Sequence, residues 1–222
     1  MGLEQVLNAR SVAVVGASKV PTKRGYQTIR TLLDERYEGA IYPVNPKEPS
    51  IMGLKCYTAV SEIPGAVDVA LIATPARTVP AVLEDCGKKG VKGAIILATG
   101  FGETGATGKA LELEVLAVAG QNNIRLIGPN TSGMINLKDN LNLVGLKNSP
   151  KGDIALLTQS GNMALTLITE AKLQSRKGFT YYVGVGNEAD IRFHEYLEFF
   201  SQDPDTHAIL MYVEGMREGR KF

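Results

Sequence analysis

Ser11-Val12-Ala13-Val14-Val15-Gly16, with the loop and helical stretch that run on through Gly25 to about Arg36, decides how this chain folds. A run of small and β-branched residues without polar alternation describes a strand buried on both faces. A glycine directly after it, ahead of a helix, describes the turn of a βαβ unit. The pattern then recurs. Ala40 to Val44, Val67 to Ala73, Gly93 to Leu97 and Arg125 to Gly128 are further apolar runs. Helical stretches separate them: in Ala76 to Lys89 the residues Val79, Val82, Leu83 and Cys86 fall at three- and four-residue spacing, and Lys109 to Gly120 is a further helix. The sequence therefore predicts an α/β fold, with a Rossmann-like parallel sheet of five strands complete by about residue 128.

Beyond it, Gly145 to Asp153 gathers Asn148, Ser149, Pro150 and Gly152 and has the composition of a linker or turn. The pattern restarts with strands at Asp153–Thr158, Phe179–Val183 and Ala208–Val213, a helix from about Asn162 to Leu173, and another ending near Phe199. The expected division is 1–146 and 147–222. Three strands in so short a second unit would bury little, so that unit is expected to be incomplete, or to lean on the first unit or on a partner.

Composition narrows the function classes. A net charge of +1 over 222 residues argues against a protein held to nucleic acid by phosphate neutralisation. No apolar run reaches the roughly 18 residues that would span a membrane, and the start has no basic end ahead of an apolar stretch. Cys56 and Cys86 form no C-x-x-C pair, which points to reduced thiols with no metal site. A cytoplasmic protein acting on small molecules is expected.

The turn at Gly16 presents backbone N–H groups and a helix N-terminus, a place for phosphate. Its spacing is not that of the dinucleotide fingerprint. Gly16 and Ser18 are followed by a loop carrying Lys19, Lys23 and Arg24 before the next glycine, Gly25. At the end of the second strand an NAD site would want an acid for the ribose hydroxyl, and this chain has Asn45-Pro46-Lys47. Lysine there favours a phosphorylated ribose, as in coenzyme A or NADP; the lesser alternative is that Asn45 and Pro46 make a plain turn with Lys47 in solvent. Thr74-Pro75 ends the third strand and Thr99 to Glu103 the fourth. Each alone reads as loop chemistry, but together they line the carboxyl edge where ligands of open α/β sheets bind.

Six segments, in order, carry a resemblance: Val14 to Ser18 with Gly25-Tyr26; Tyr42 to Lys47; Gly100 to Gly105; Ile127 to Asn130 with Gly133; Thr158 to Gly161; and Gly186-Asn187. The chain resembles the ADP-forming acyl-CoA synthetases of the acetate–CoA ligase type and, more distantly, the succinyl-CoA synthetase alpha subunit. The resemblance implies a CoA-binding domain followed by part of a flavodoxin-like ligase domain, in an acid–thiol ligase. By the same resemblance the adenosine and phosphates of CoA lie near Gly16, Ser18, Lys23, Gly25, Asn45 and Lys47. The pantetheine arm passes Thr74, Pro75 and Thr99 toward Gly128, Pro129 and Asn130, with Asn130 nearest the thiol. Ser160 and Gly161 hold a phosphate or a phosphorylated imidazole, and Glu214 orients the histidine that carries it.

The reaction so implied interconverts acyl-CoA, ADP and phosphate with the acid, CoA and ATP, through an acyl phosphate and a phosphohistidine. It calls for an ATP-grasp subunit or domain to supply ATP, ADP and Mg, and for an oligomer when complete. The family histidine follows the strand after Glu214 and is not in this chain; neither His194 nor His207 matches it. Thr131 stands where many members have Cys, and Gly184 where many have Ser. Gly184 blurs the boundary between the acetate-type and succinate-type branches, while Thr131 and the missing histidine keep open a second class, a catalytically silent CoA-sensing module such as the synthetase-like region of a protein acetyltransferase. A third class, an NAD(P)-dependent oxidoreductase, rests on the fold alone.

Overall fold

The computed structural model describes residues 2–174 and 177–222. A short helix, α1 (Glu4–Leu7), precedes the first unit, which then runs β1 (Ser11–Val15), α2 (Arg24–Asp34), β2 (Ala40–Val44), the small hairpin β3 (Ser50–Ile51) and β4 (Leu54–Lys55), β5 (Val69–Ile72), α3 (Val79–Lys89), β6 (Gly93–Ile96), α4 (Ala106–Gln121) and β7 (Arg125–Ile127). Then follow β8 (Met134–Asn136), β9 (Leu141–Asn142), β10 (Lys151–Thr158), α5 (Gly161–Gln174), β11 (Phe179–Gly184), α6 (Phe193–Gln202) and β12 (Ala208–Tyr212).

The first sheet has the order β2-β1-β5-β6-β7, and every pair in it is parallel. Its central strands are apolar along their whole length because helices cover both faces: β1, β5 and β6 have every residue buried. The helices end where their sequences stop them. Pro80 sits in the first turn of α3, and Gly90, at φ +79° just past its end, lets its N–H reach back to the Cys86 and Gly87 carbonyls.

The second sheet has the order β12-β10-β11-β8-β9. Its three parallel strands are those the sequence shows. Two antiparallel strands join them: β8 pairs with β11 and β9 with β8. Both come from the segment ahead of residue 146, so the chain enters the second sheet well before the Gly145–Asp153 turn.

Among the described residues three apolar cores result. One face of the first sheet packs under α3 and α4 through Val15, Ile72, Leu83, Ile96 and Val115. The outer face of the second packs on α5 through Leu156, Tyr182 and Ile168. Between the sheets lies a continuous core that takes Val14, Leu71 and Ile127 from the first sheet, Leu157, Tyr181 and Val183 from the second, and Phe193, Tyr196 and Phe200 around α6. The second unit thus leans on the first through this shared core. Polar ties seal the junction: Asn136 Nδ2 donates to the Leu7 carbonyl at 3.1 Å, and the Tyr181 hydroxyl donates to Asn8 Oδ1 at 2.7 Å.

Candidate functional site

Strand order in the first sheet reverses between β1 and β5, and the crevice of a doubly wound sheet opens at that point. The residues after these strands are brought together tightly. Gly16 has φ +87°, and a Cβ there would sit 2.9 Å from the Ala73 carbonyl oxygen. A Cβ on Gly25, in the first turn of α2, would overlap the Gly16 carbonyl oxygen and come 2.9 Å from Ala17 Cα. Two glycines therefore press the N-terminus of α2 against the end of β1, with no side chain between a ligand and the backbone. Lys23, at the N-cap, offers no side-chain cap to that first turn.

Asn45 and Ser18 shape the loop from within. Asn45 Nδ2 donates to the Ala17 carbonyl at 2.7 Å, while its Oδ1 accepts the Lys47 N–H at 2.9 Å. Ser18 Oγ accepts the Val20 N–H at 3.0 Å. Lys23 and Lys47 are exposed, and Lys19 is paired with Glu48 at 2.6 Å. Thr74 and Pro75 are engaged by Thr78, whose hydroxyl lies 2.9 Å from Thr74 Oγ1 and whose N–H reaches the Pro75 carbonyl at 2.9 Å. Thr99 is exposed at the end of β6.

At the far strand, Gly128, Pro129 and Asn130 lie backbone to backbone with the loop after β11. The Asn187 N–H reaches the Pro129 carbonyl at 2.9 Å and the Ala189 N–H the Gly128 carbonyl at 3.1 Å. Asn130 has φ +57°, a left-handed conformation that asparagine tolerates. Its side chain heads a polar network. Asn130 Nδ2 donates to Asn187 Oδ1 at 3.2 Å, and Asn187 Nδ2 donates to Glu103 Oε2 at 2.6 Å and Glu112 Oε2 at 3.0 Å.

Glu112, on α4, has a side chain with 0% exposure. It also accepts from the Gly102 N–H at 3.2 Å, Lys109 Nζ at 2.7 Å and Arg217 Nη2 at 3.2 Å. Burial works to raise its pKa, but the hydrogen bonds from Lys109, Asn187, Arg217 and Gly102 outweigh it and hold the carboxyl below the ordinary range.

The predicted phosphate end lies across the junction. Ser160 Oγ is 3.4 Å from the Met163 N–H at the start of α5. Gln159 clasps the loop that carries Glu214, its Oε1 accepting the Glu214 and Gly215 N–H groups at 2.7 and 2.9 Å. Glu214 itself is exposed. The segment after Asn130 joins the two ends: a Cβ on Gly161 would be in ordinary contact with Ser132, at 3.4 Å from its Cβ, and Arg24 Nη2 donates to the Ser132 carbonyl at 2.8 Å. A cavity of about 580 Å³ opens there, lined by Arg24, Tyr26, Ser132, Gly161 and Leu165 among others. The first turns of α2 and α5 thus face one cleft, where two helix N-termini favour anions.

The candidate residues fall into three groups: Gly16, Ser18, Lys23, Gly25, Asn45, Lys47, Thr74 and Pro75 about β1, β2 and β5; Thr99, Gly128, Pro129 and Asn130 about β6 and β7; and Ser160, Gly161 and Glu214 about β10 and β12. His207 is apart from all of them, at the opposite end of β12 from Glu214 and 3.5 Å from Asp153. Sequence reasoning missed Glu112 and Arg217, named Arg24 only as a charge of the first loop, and gave Asn187 no role. Glu112 is the one charged residue on the buried stripe Gly108, Glu112, Val115, Ala119, a stripe that burial reveals and residue type does not.

Comparison with known proteins matches both units. The CoA binding domain family matches residues 10–136, and the succinyl-CoA ligase like flavodoxin domain matches residues 151–222. The chain is 44% identical over its whole length to acetate–CoA ligase [ADP-forming] I subunit alpha of Pyrococcus furiosus, and 40% identical over 99% of its length to the II subunit alpha of that organism. It covers 49% and 48% of those relatives, about half of each. A solved structure titled as the dinucleotide forming acetyl-coenzyme A synthetase 1 of Ca. Korarchaeum cryptofilum, in complex with phosphate and ADP, superposes with a TM-score of 0.94 at 40% identity, covering 98% of this chain and 47% of that one.

Proposed function

Because the chain belongs to the CoA binding domain family, with a succinyl-CoA ligase like flavodoxin domain after it, we propose that it is the CoA-binding portion of an ADP-forming acyl-CoA ligase. One observation carries the reading: the ends of five parallel strands stand in a row from Asn45 and Lys47 on β2 to Gly128 and Asn130 on β7. At the usual interstrand spacing that edge is about 19 Å long, a seat for an elongated ligand with phosphates at one end and its reacting group at the other. The residues present fit CoA. The Gly16–Gly25 contact frees a helix N-terminus for the diphosphate, and Lys23 and Lys47 stand in solvent beside it for the remaining phosphate.

In this reading Asn45 and Ser18 hold the loop in shape while backbone N–H groups bind phosphate. Thr74, Pro75 and Thr99 flank the pantetheine arm. Gly128, Pro129 and Asn130 receive its thiol end. The proposed overall reaction is acyl-CoA, ADP and phosphate giving the acid, CoA and ATP, by way of an acyl phosphate and a phosphohistidine. Ser160 and Gly161 at the first turn of α5 hold the anion opposite the thiol end, and Glu214 orients the histidine so that one ring nitrogen is left to take the phosphate. The acid-binding pocket, an ATP-grasp partner that binds ATP or ADP with Mg, and the oligomer belong to the complete enzyme, in the cytoplasm.

Calorimetric titration with CoA, dephospho-CoA, NADH and NADPH tests the reading. CoA is expected to bind with neither dinucleotide binding. Tight NAD(P)H binding without CoA binding overturns it.

A further inference from the structure

The five candidate strand ends leave unexplained why α4 buries a carboxylate completely, at Glu112. A buried charge is costly unless every lone pair is used, and here each partner of Glu112 is a donor: the Gly102 N–H, Lys109, Arg217 and the Asn187 amide. Both N–H bonds of Asn187 Nδ2 end on carboxylates, those of Glu103 and Glu112. Turned over, that amide would set its oxygen against two anions, so its orientation is fixed by charge. Asn187 Oδ1 is left only to accept, and the donor it accepts is Asn130 Nδ2. A flipped Asn130 would bring two acceptors together.

From this chain, and resting on the proposed CoA reading, we propose that Glu112, with Glu103, is a positioning residue: acting through Asn187, it turns Asn130 so that Oδ1 faces the ligand as an acceptor for an N–H or S–H donor of the pantetheine arm. Among the described residues nothing donates to that oxygen. The device selects for a ligand that brings a donor to the end of β7, whatever phosphates it carries at the other end of the sheet.

The test is a double-mutant cycle by calorimetry on the 222-residue chain, with CoA and adenosine 3′,5′-bisphosphate as probes. Loss of one oriented hydrogen bond predicts that Glu112→Gln weakens CoA about three- to tenfold, while the bisphosphate, which lacks the arm, keeps its affinity. Asn130→Gly, which suits the positive φ, should cause a similar loss, and adding Glu112→Gln to it should cost nothing more. Should Glu112→Gln fail to fold, Glu103→Gln carries the same prediction. The proposal is overturned if the two probes weaken alike, if the Glu112→Gln effect persists in the Asn130→Gly background, or if CoA affinity does not change while wild type binds CoA normally. If wild type binds neither probe, the CoA reading itself has failed and takes the relay with it.

Discussion

Thr131 and Gly184 fill one volume between them. The Thr131 hydroxyl donates to the Gly184 carbonyl oxygen, and a Cβ on Gly184 would lie 2.8 Å from Thr131 Oγ1 and would overlap the Ser132 hydroxyl. Thr131 and Gly184, the two places where the resemblance implies Cys and Ser, are therefore packed against each other. Gly184→Ala should destabilise the fold by about 1–3 kcal/mol, as overpacking does, read as a lower Tm in thermal denaturation. Adding Ser132→Ala should recover part of it, and an unchanged Tm in Gly184→Ala would refute the shared volume.

Gly25→Ala should be the most damaging change at the first turn. The atoms its methyl meets are backbone, the Gly16 carbonyl and Ala17 Cα, which cannot swing aside. The N-terminus of α2 must then retreat, and CoA affinity should fall by an order of magnitude or more. Titration of Gly25→Ala beside Gly120→Ala, whose added Cβ meets nothing within 4 Å and whose φ is not left-handed, controls for glycine replacement as such.

Lys47→Ala should weaken CoA by about two- to fivefold, the range of an exposed ion pair, and dephospho-CoA hardly at all. Raising the salt concentration should erase the difference. Equal losses for both ligands would place the ribose phosphate elsewhere.

Acid should loosen the junction of the two units. Burial tends to raise the pKa of Glu112 and Glu103, yet their hydrogen bonds hold both below the ordinary value of 4.5, so the folded state binds protons less readily than the unfolded chain. The stability this gives is complete above that ordinary value and is lost as pH falls through the lowered ones. Tm measured from neutral pH into the acid range should decline, and Glu112→Gln should flatten the decline.

The two thiols should be inert in the folded protein. Cys86 has 0% exposure, and burial pushes its pKa up to about 12; burial raises that of Cys56 too. Alkylation is expected only in denaturant, and labelling of Cys86 at the rate of a free thiol would show that α3 opens.

How much of this could be read from the chain alone follows from burial. Strands with helices on both faces must be apolar throughout, so β1, β5 and β6 are plain in the sequence. β8 and β9 are not. They have three and two residues, and they carry the buried Asn136 and Asn142, whose side chains bond to the Leu7 and Leu146 carbonyls. A polar residue whose partners include groups far along the chain, Leu7 and Asn8 for Asn136 and Glu35 for Asn142, looks like loop until the fold is known.

The site divides the same way. Gly16, Gly25, Lys47 and the residues about Asn130 stand out as candidates because they punctuate strand ends. Glu112 is hidden in Leu111-Glu112-Leu113-Glu114, where the buried glutamate and the exposed Leu113 invert the expectation from residue type. What buries Glu112 is the arrival of Asn187 and Arg217 from the other unit.

The crossing of β8 and β9 into the second sheet has a mechanical consequence. Between Ile127 and Lys151 the chain is tied to both units: β8 pairs with β11 and β9 with β8, while Met134, Leu141 and Leu143 enter the common core. A hinge motion would have to tear a ladder apart. The walls of the cleft shared by α2 and α5 are therefore held in place by strand pairing, which lowers the ordering cost of any ligand that settles there.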